Sequence, residues 1–220
     1  MQQKALRSIF RPCLKSALVI VLVSIGKPAA ANWLETSTAV VPPVGFIKFC
    51  VENMEQCSQT MASSGYVKDV PILTEKSWQD LVTVQEEVNS AYLQVNDIIS
   101  VGIREDWSLG RDGRADCEDF SLIKRQALID KGWPAHALLL TTAFTERNEY
   151  HVVLTVVTDR GDVILDNRWA TPRPVESLDY KWVARQDPKN PMRWLRLSAL
   201  IAPEQPLALY QQVAALVEHD

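Results

Sequence analysis

No apolar run in this 220-residue chain is long enough to serve as a finished membrane span, and there is no internal repeat, no low-complexity tract and no excess of basic charge. Each absence closes a door. A spanning helix takes roughly 20 apolar residues, and the best run, Ala17 to Ile25, falls well short of that. Without repeats or compositional breaks, nothing divides the body of the chain into several domains. A formal charge of −4 argues against nucleic acid as a partner, because phosphate binding needs a basic face. Cysteine and histidine are scarce as well, at four and three residues, so each can be weighed individually.

What is present begins with a targeting pattern. Lys4, Arg7, Arg11 and Lys15 precede the apolar run, and Pro28-Ala29-Ala30-Ala31-Asn32 supplies the small residues that a signal peptidase favours. Residues 1–31 therefore read as a signal peptide cut after Ala31. Lys27, an imperfection in the cleavage region, keeps an uncleaved N-terminal anchor as the alternative. Residues 1–31 hold five Lys/Arg and no Asp/Glu, so removing those five charges from −4 leaves −9 on residues 32–220. The remaining length suits a single compact domain with its own core.

Two stretches read as helices. From Thr74, which is placed to cap, Trp78, Leu81, Val84, Val88, Ala91, Tyr92, Val95, Ile98 and Ile99 recur at helical spacing. A second helix is expected from Cys117 to Asp130, with Asp116 at the cap and Asp119 three residues on in a capping-box-like arrangement. Phe120, Ile123, Ala127 and Leu128 form its inward stripe, Lys124 and Arg125 are expected to face water, and Gly132 with Pro134 stops it. Strand patterns follow at 137–144, 151–158 and 163–166, the last two joined by a turn within Asp159-Arg160-Gly161-Asp162. A further strand pair or irregular cover is expected over 182–197, and a terminal helix over 203–217. Residues 32–72, with Pro42-Pro43, Gly45 and Ser63-Ser64-Gly65, read as loops with short extended pieces. The fold class is α+β.

Chemistry concentrates at Asp116-Cys117-Glu118-Asp119. Of the three cysteines that outlast cleavage, Cys50 and Cys57 flank a six-residue polar loop, a spacing that can close a small disulfide. Cys117 is then the thiol left over. A lone cysteine is ordinarily a buried inert residue, but carboxylate neighbours argue against apolar burial here. A helix N-terminus favours thiolate. His151 interrupts an apolar strand, while His136 reads as a surface residue and His219 sits in the tail. By elimination His151 is the candidate base, and Asp166, closing the next strand, is the residue to hold its ring, with Asn167 as substitute. A turn at Arg160-Gly161 would set Asp166 opposite Thr155, several residues from His151, so contact would need a longer loop, a bulge or strong twist. Cysteine on a helix start, then His and Asp on later strands, is the chain order of a papain-like or transglutaminase-like thiol site.

Asp116, Glu118 and Asp119 crowd the sulfur with negative charge. The plain explanation is that acids stabilise a helix start by ~0.3–1 kcal/mol each. The same charges oppose thiolate formation, and a bound Ca²⁺ held by these three carboxylates would remove the conflict. The Cys117 backbone N–H is the first oxyanion donor. The Trp107 indole and the Asn96 amide are candidates for the second, against plainer readings as packing and helix-surface residues.

With these residues in place, the chain resembles the bacterial transglutaminase-like cysteine proteinases, the family of periplasmic LapG-type adhesin proteases. The resemblance runs from about Gly45 to Trp194. It is carried by Phe49-Cys50 with Cys57, Val95-Asn96, Trp107, Asp116-Cys117-Glu118-Asp119-Phe120 with Lys124, His151-Val152-Val153-Leu154 and Leu165-Asp166-Asn167. Ala115 stands where the family usually has glycine, and Phe120 replaces a frequent tyrosine; neither change removes a reacting group. The resemblance implies a papain-like, transglutaminase-core fold, with the nucleophile at a helix N-terminus packed on an antiparallel sheet. It further implies a Cys117–His151–Asp166 triad, calcium on Asp116, Glu118 and Asp119, and a periplasmic location. A surface adhesin as substrate and an inner-membrane receptor as regulator are implied in the same way. Two other functions use the same residues: acyl transfer to an amine, as in a transglutaminase, and calcium-dependent binding without catalysis.

Overall fold

In the computed structural model the described residues are 32–58, 70–95 and 106–197, all within one compact unit, Ala31–Asp220. The expected leader at 1–31, the terminal helix at 203–217 and the oxyanion candidate Asn96 lie outside them. Strand β1 (Thr36–Val40) leads into α1 (Val44–Glu52) and α2 (Met54–Ser58). This pair of helices stands where loops were expected, because Pro43 at the N-cap starts a helix as readily as it breaks one. Cys50 of α1 and Cys57 of α2 are bridged, with Cα atoms 5.6 Å apart.

Helix α3 (Glu75–Ala91) opens on a reciprocal cap: Ser77 N–H donates to Thr74 Oγ1 at 3.1 Å and Thr74 N–H donates to Ser77 Oγ at 2.7 Å. Leu81, Val84, Gln85 and Val88 form its buried stripe. The helix ends at Ala91, eight residues before the apolar periodicity does. Beyond Tyr92 the backbone is captured by another segment, as β2 (Leu93–Gln94) pairs in parallel with β3 (Arg114–Ala115). Helix α4 (Cys117–Asp130) follows at once. Gly132, at φ 91°, adopts the left-handed conformation that turns the chain away, and Trp133 N–H returns to Leu128 O at 3.0 Å.

Strands β4 (Leu138–Phe144), β5 (Tyr150–Thr158), β6 (Gly161–Leu165), β7 (Arg173–Pro174), β8 (Lys181–Asp187) and β9 (Asn190–Leu197) join β1 in an antiparallel sheet, in the order β1-β9-β8-β4-β5-β6-β7. Helix α4 packs on β5 and β4, and α3 packs on α4. Alternation along β5 sends Val152, Leu154 and Val156 into the main core and Val153 into a smaller one with Ile164, Tyr180 and Trp182. With both faces covered, β4 and β5 are buried almost throughout.

Two expectations about this region are corrected. Lys124 and Arg125 do not face water: their exposures are 0 % and 6 %. Lys124 lies seven residues after Cys117 and four before the buried Leu128, on the stripe that meets the rest of the fold, and its charge does not override that geometry. The hairpin turn is Asp159–Arg160, not Arg160–Gly161, because Thr158 pairs with Gly161. Gly161 is at φ 112°, and a Cβ there would lie 2.7 Å from Asn32 O, so only glycine fits.

Candidate active site

The corrected turn moves the β5–β6 register by two residues. Leu165 pairs with Leu154, and the ladder stops there. One residue later, Asp166 leaves the strand and meets His151, with Nε2 to Oδ1 at 2.8 Å. No bulge is needed; the shifted register and the strand end bring the two together.

The end of β6 also opens the edge of β5. There the N-terminus of α4 takes the place of a strand. The Val152 backbone N–H lowers the pKa of the Cys117 thiol. The Ser121 hydroxyl lies 3.2 Å from Val152 O and 2.8 Å from Cys117 O. In a strand the N–H and C=O of one residue point the same way, so both polar groups of Val152 face the start of α4. Cys117 thereby lies beside the residue that follows His151.

Asp166 is 1 % exposed, and every donor around it is identifiable. Oδ1 also accepts Arg168 N–H at 2.9 Å, and Oδ2 accepts the Tyr180 hydroxyl at 2.6 Å. Burial pushes this carboxyl up, but His151, Tyr180 and the Arg168 amide outweigh it and hold the carboxyl below its ordinary value. Asp166 is thus an ionised acceptor at neutral pH. The imidazole nitrogen facing it, Nε2, must carry the proton, and in the neutral ring Nδ1 is left as the base.

Among the described residues Cys117, half-buried, is the free cysteine. Its pKa is pushed up by desolvation of the sulfur, then by the charges of Glu118 and Asp116 and by the hydrogen bond to Glu118. The thiol donates to Glu118 Oε2 at 3.0 Å. In this state the sulfur is a protonated donor, and burial together with the carboxylates overrides the helix end.

Asp116 stands at the N-cap, but its side chain makes no cap hydrogen bond. The expected box with Asp119 does not form, because Asp119 Oδ1 accepts Ser108 N–H at 2.6 Å instead. Among the described residues no three His, Cys, Asp or Glu side chains gather as a metal cluster. The donor chemistry nonetheless suits a hard cation: Glu118 and Asp119 are buried carboxylates, and Glu118 with Asp116 leaves the thiol under a negative charge that a cation would offset. Trp107 is buried and packs edge-on against Phe46, ring centroids 5.5 Å apart, which is a core role.

The sequence reading missed Gln85 and Tyr180. Gln85 Nε2 donates to Asp166 O at 2.7 Å and to Trp169 O at 2.6 Å, pinning the chain that leaves β6. A polar residue on the stripe of Leu81, Val84 and Val88 was the available signal. Tyr180 lies in an irregular stretch with no periodicity to mark it. Asn167, the substitute for Asp166, makes no contact with His151 among the hydrogen bonds of the described residues, and its amide atoms are buried.

A family model described as bacterial transglutaminase-like cysteine proteinase matches residues 36–200. The chain is similar to the solved structure of calcium-bound Legionella pneumophila LapG at 24 % identity, covering 62 % of this chain and 87 % of that one, with a TM-score of 0.44. A second Legionella pneumophila LapG structure is 22 % identical over 78 % of this chain and 86 % of that one, with a TM-score of 0.46. An EGTA-treated form gives 22 %, 78 % and 88 %, with a TM-score of 0.45. No curated protein matches the chain.

Proposed function

The chain belongs to the bacterial transglutaminase-like cysteine proteinases, and from that premise we propose that it hydrolyses peptide bonds with Cys117 as nucleophile, His151 as base and Asp166 as the group that holds the imidazole. The observation that carries this reading is the buried His151–Asp166 pair, 2.8 Å apart, with Val152, the next residue of the strand, facing the helix start that bears Cys117. Nδ1 of His151 takes the thiol proton as sulfur attacks the peptide carbonyl, forming the C–S bond. The Cys117 backbone N–H, at the helix start, faces the developing oxyanion. His151 returns the proton to the amine as the C–N bond breaks, and water then cleaves the thioester to give the carboxylic acid and restore the thiol.

Asp116, Glu118 and Asp119 are the residues that would hold calcium in this reading. Bound there, the ion would supply positive charge beside a thiol that its neighbours keep protonated. The leader pattern at residues 1–31 supports export to the periplasm. A cell-surface protein such as an adhesin, with an inner-membrane receptor as regulator, is the substrate and partner pairing proposed on the strength of the family resemblance.

Comparing surface and released proteins from cells carrying the intact chain or Cys117→Ala tests this function. A surface protein that is shortened only when Cys117 is present supports it. Identical patterns under conditions where the protein is made and exported would overturn it.

A further inference from the structure

The phenol of Tyr180 is held by three polar partners: Asp166 Oδ2 at 2.6 Å, Arg168 Nη1 at 2.9 Å and Trp169 Nε1 at 3.3 Å. Guanidinium and indole N–H groups only donate. The phenol oxygen therefore accepts from both, and its single proton has one destination, the Asp166 carboxylate. Burial, reinforced by the Asp166 charge, pushes the phenol's pKa up, so it keeps that proton at neutral pH.

This matters because a carboxylate anchored at one oxygen can rotate. Oδ1 serves His151 and the Arg168 amide, while Oδ2 is held by Tyr180. With both oxygens engaged, the plane of the carboxylate is set, and so is the direction from which His151 Nε2 must approach. The clamp reaches further. Arg168 Nη2 and Nη1 meet Glu146 Oε1 at 2.5 Å and Oε2 at 3.0 Å. Glu146 lies in the turn that leads into β5, where His151 sits, and Arg168 lies in the loop that carries Asp166. One guanidinium therefore ties together the segments bearing the two partners. The Tyr180 ring also meets the His151 ring edge-on, with centroids 6.1 Å apart at 89°.

We propose that Tyr180, fixed by Arg168 and Trp169, is a positioning residue that locks the Asp166 carboxylate in the orientation that holds His151 as the Nε2–H tautomer. The proposal rests on the triad reading above. It acts through Asp166 and requires no contact between Tyr180 and substrate. Tyr180→Phe is the direct probe, since it keeps the ring packed on His151 and Trp182 and deletes only the hydroxyl.

The purified full chain is reacted with iodoacetamide, alkylation of Cys117 is followed by mass, and the His151 ring nitrogens are followed by ¹⁵N NMR, in the wild type, Tyr180→Phe and His151→Ala. Tyr180→Phe is expected to remain folded by circular dichroism, to be alkylated roughly tenfold more slowly, and to show His151 exchanging between tautomers. A purely packing role for the hydroxyl would lower the melting point and leave the tautomer unchanged. Wild-type rate and tautomer in Tyr180→Phe, with His151→Ala slow, overturn the clamp and leave the triad standing. Wild-type alkylation in His151→Ala overturns the triad, and the clamp with it. If Tyr180→Phe does not fold, Arg168→Met serves, because it keeps the phenol but removes a donor that orients it. Slower alkylation with a mixed tautomer supports the clamp, and wild-type behaviour in both measurements overturns it.

Discussion

Lys124 is a cation in a place that does not welcome charge. Its side chain is wholly buried, no acceptor among the described residues reaches Nζ, and the ammonium sits 5.6 Å from the centroid of the Phe120 ring. Burial lowers its pKa to about 7, with the Asp166 charge pulling it partly back up. The unfolded chain would hold that proton up to ~10.4. Between about pH 7 and 10 the unfolded state therefore binds more protons than the folded one, and stability rises with pH. Below that window the full penalty of a buried ammonium is present. Lys124→Met should stabilise the protein by on the order of 2–5 kcal/mol at pH 6 and flatten the rise above pH 7. Urea denaturation across pH 6 to 10 measures both, and a slope unchanged by the substitution would contradict this account. The sequence made Cys117 and His151 visible, because each is a rare residue type interrupting a regular pattern. It left Lys124 misplaced, because charge argued for water where helical position argued for the core. It left Tyr180 unnoticed, because residues 178–181 have no pattern to interrupt.

At the scale of elements, the candidate site depends on what happens where β6 stops. Helix α4 meets the Val152 carbonyl through Ser121, and α3 reaches across through Gln85 to hold the carbonyls of Asp166 and Trp169. Gln85→Leu preserves the helix and its packed stripe but removes one of two donors from each carbonyl, leaving Asp166 O with Trp169 N–H and Trp169 O with Asn89 Nδ2. A net hydrogen bond is worth roughly 0.5–1.5 kcal/mol, so the loss of two should cost the variant about 1–3 kcal/mol in urea denaturation. Gln79→Leu, on the exposed side of the same helix, should stay within about 0.5 kcal/mol of the wild type. Equal losses in the two variants would mean that Gln85 contributes no more than a surface residue. Helix α4 was legible to the residue, since Asp116 and Gly132 punctuate it at both ends. The end of α3 was not, because Val95 continues its apolar periodicity although Leu93 and Val95 donate backbone N–H groups to Gly113 O and Ala115 O. Such pairing is set by a distant segment and leaves no local trace. The hairpin register was misread for a related reason: Asp159-Arg160-Gly161-Asp162 permits two turns, and only the close approach of Asn32 to Gly161 in the folded chain shows which one is used.

For the whole molecule, the α+β class was readable from helix periodicity followed by strand alternation. The sheet order was not, since the β1–β9 pairing joins segments more than 150 residues apart, a contact that no local pattern encodes. Charge, by contrast, is fully legible in sequence and has a consequence for the molecule as a whole. Residues 32–220 carry −9 formally, once the five basic residues of 1–31 are set aside, and part of that charge is concentrated beside the sulfur at Asp116, Glu118 and Asp119. In water, distant surface charges are screened within about 8 Å at physiological ionic strength, so the bulk of the acidity contributes little at Cys117. The buried Glu118 and its neighbour Asp116 contribute directly, adding to burial of the sulfur in keeping the thiol protonated. A cation bound to these carboxylates should therefore act on stability as well as on reactivity. A ligand at one hundred times its dissociation constant adds about 2.7 kcal/mol to a folded state that alone binds it. Millimolar Ca²⁺ is expected to raise the melting temperature and to speed alkylation of Cys117, and EGTA to reverse both. Mg²⁺, which dehydrates reluctantly and demands near-octahedral geometry, is expected to substitute poorly. Asp116→Asn with Glu118→Gln should remove the calcium-dependent rise in melting temperature. A melting temperature indifferent to calcium and EGTA would leave the acidic cluster as a helix-start feature and remove calcium from the proposed function.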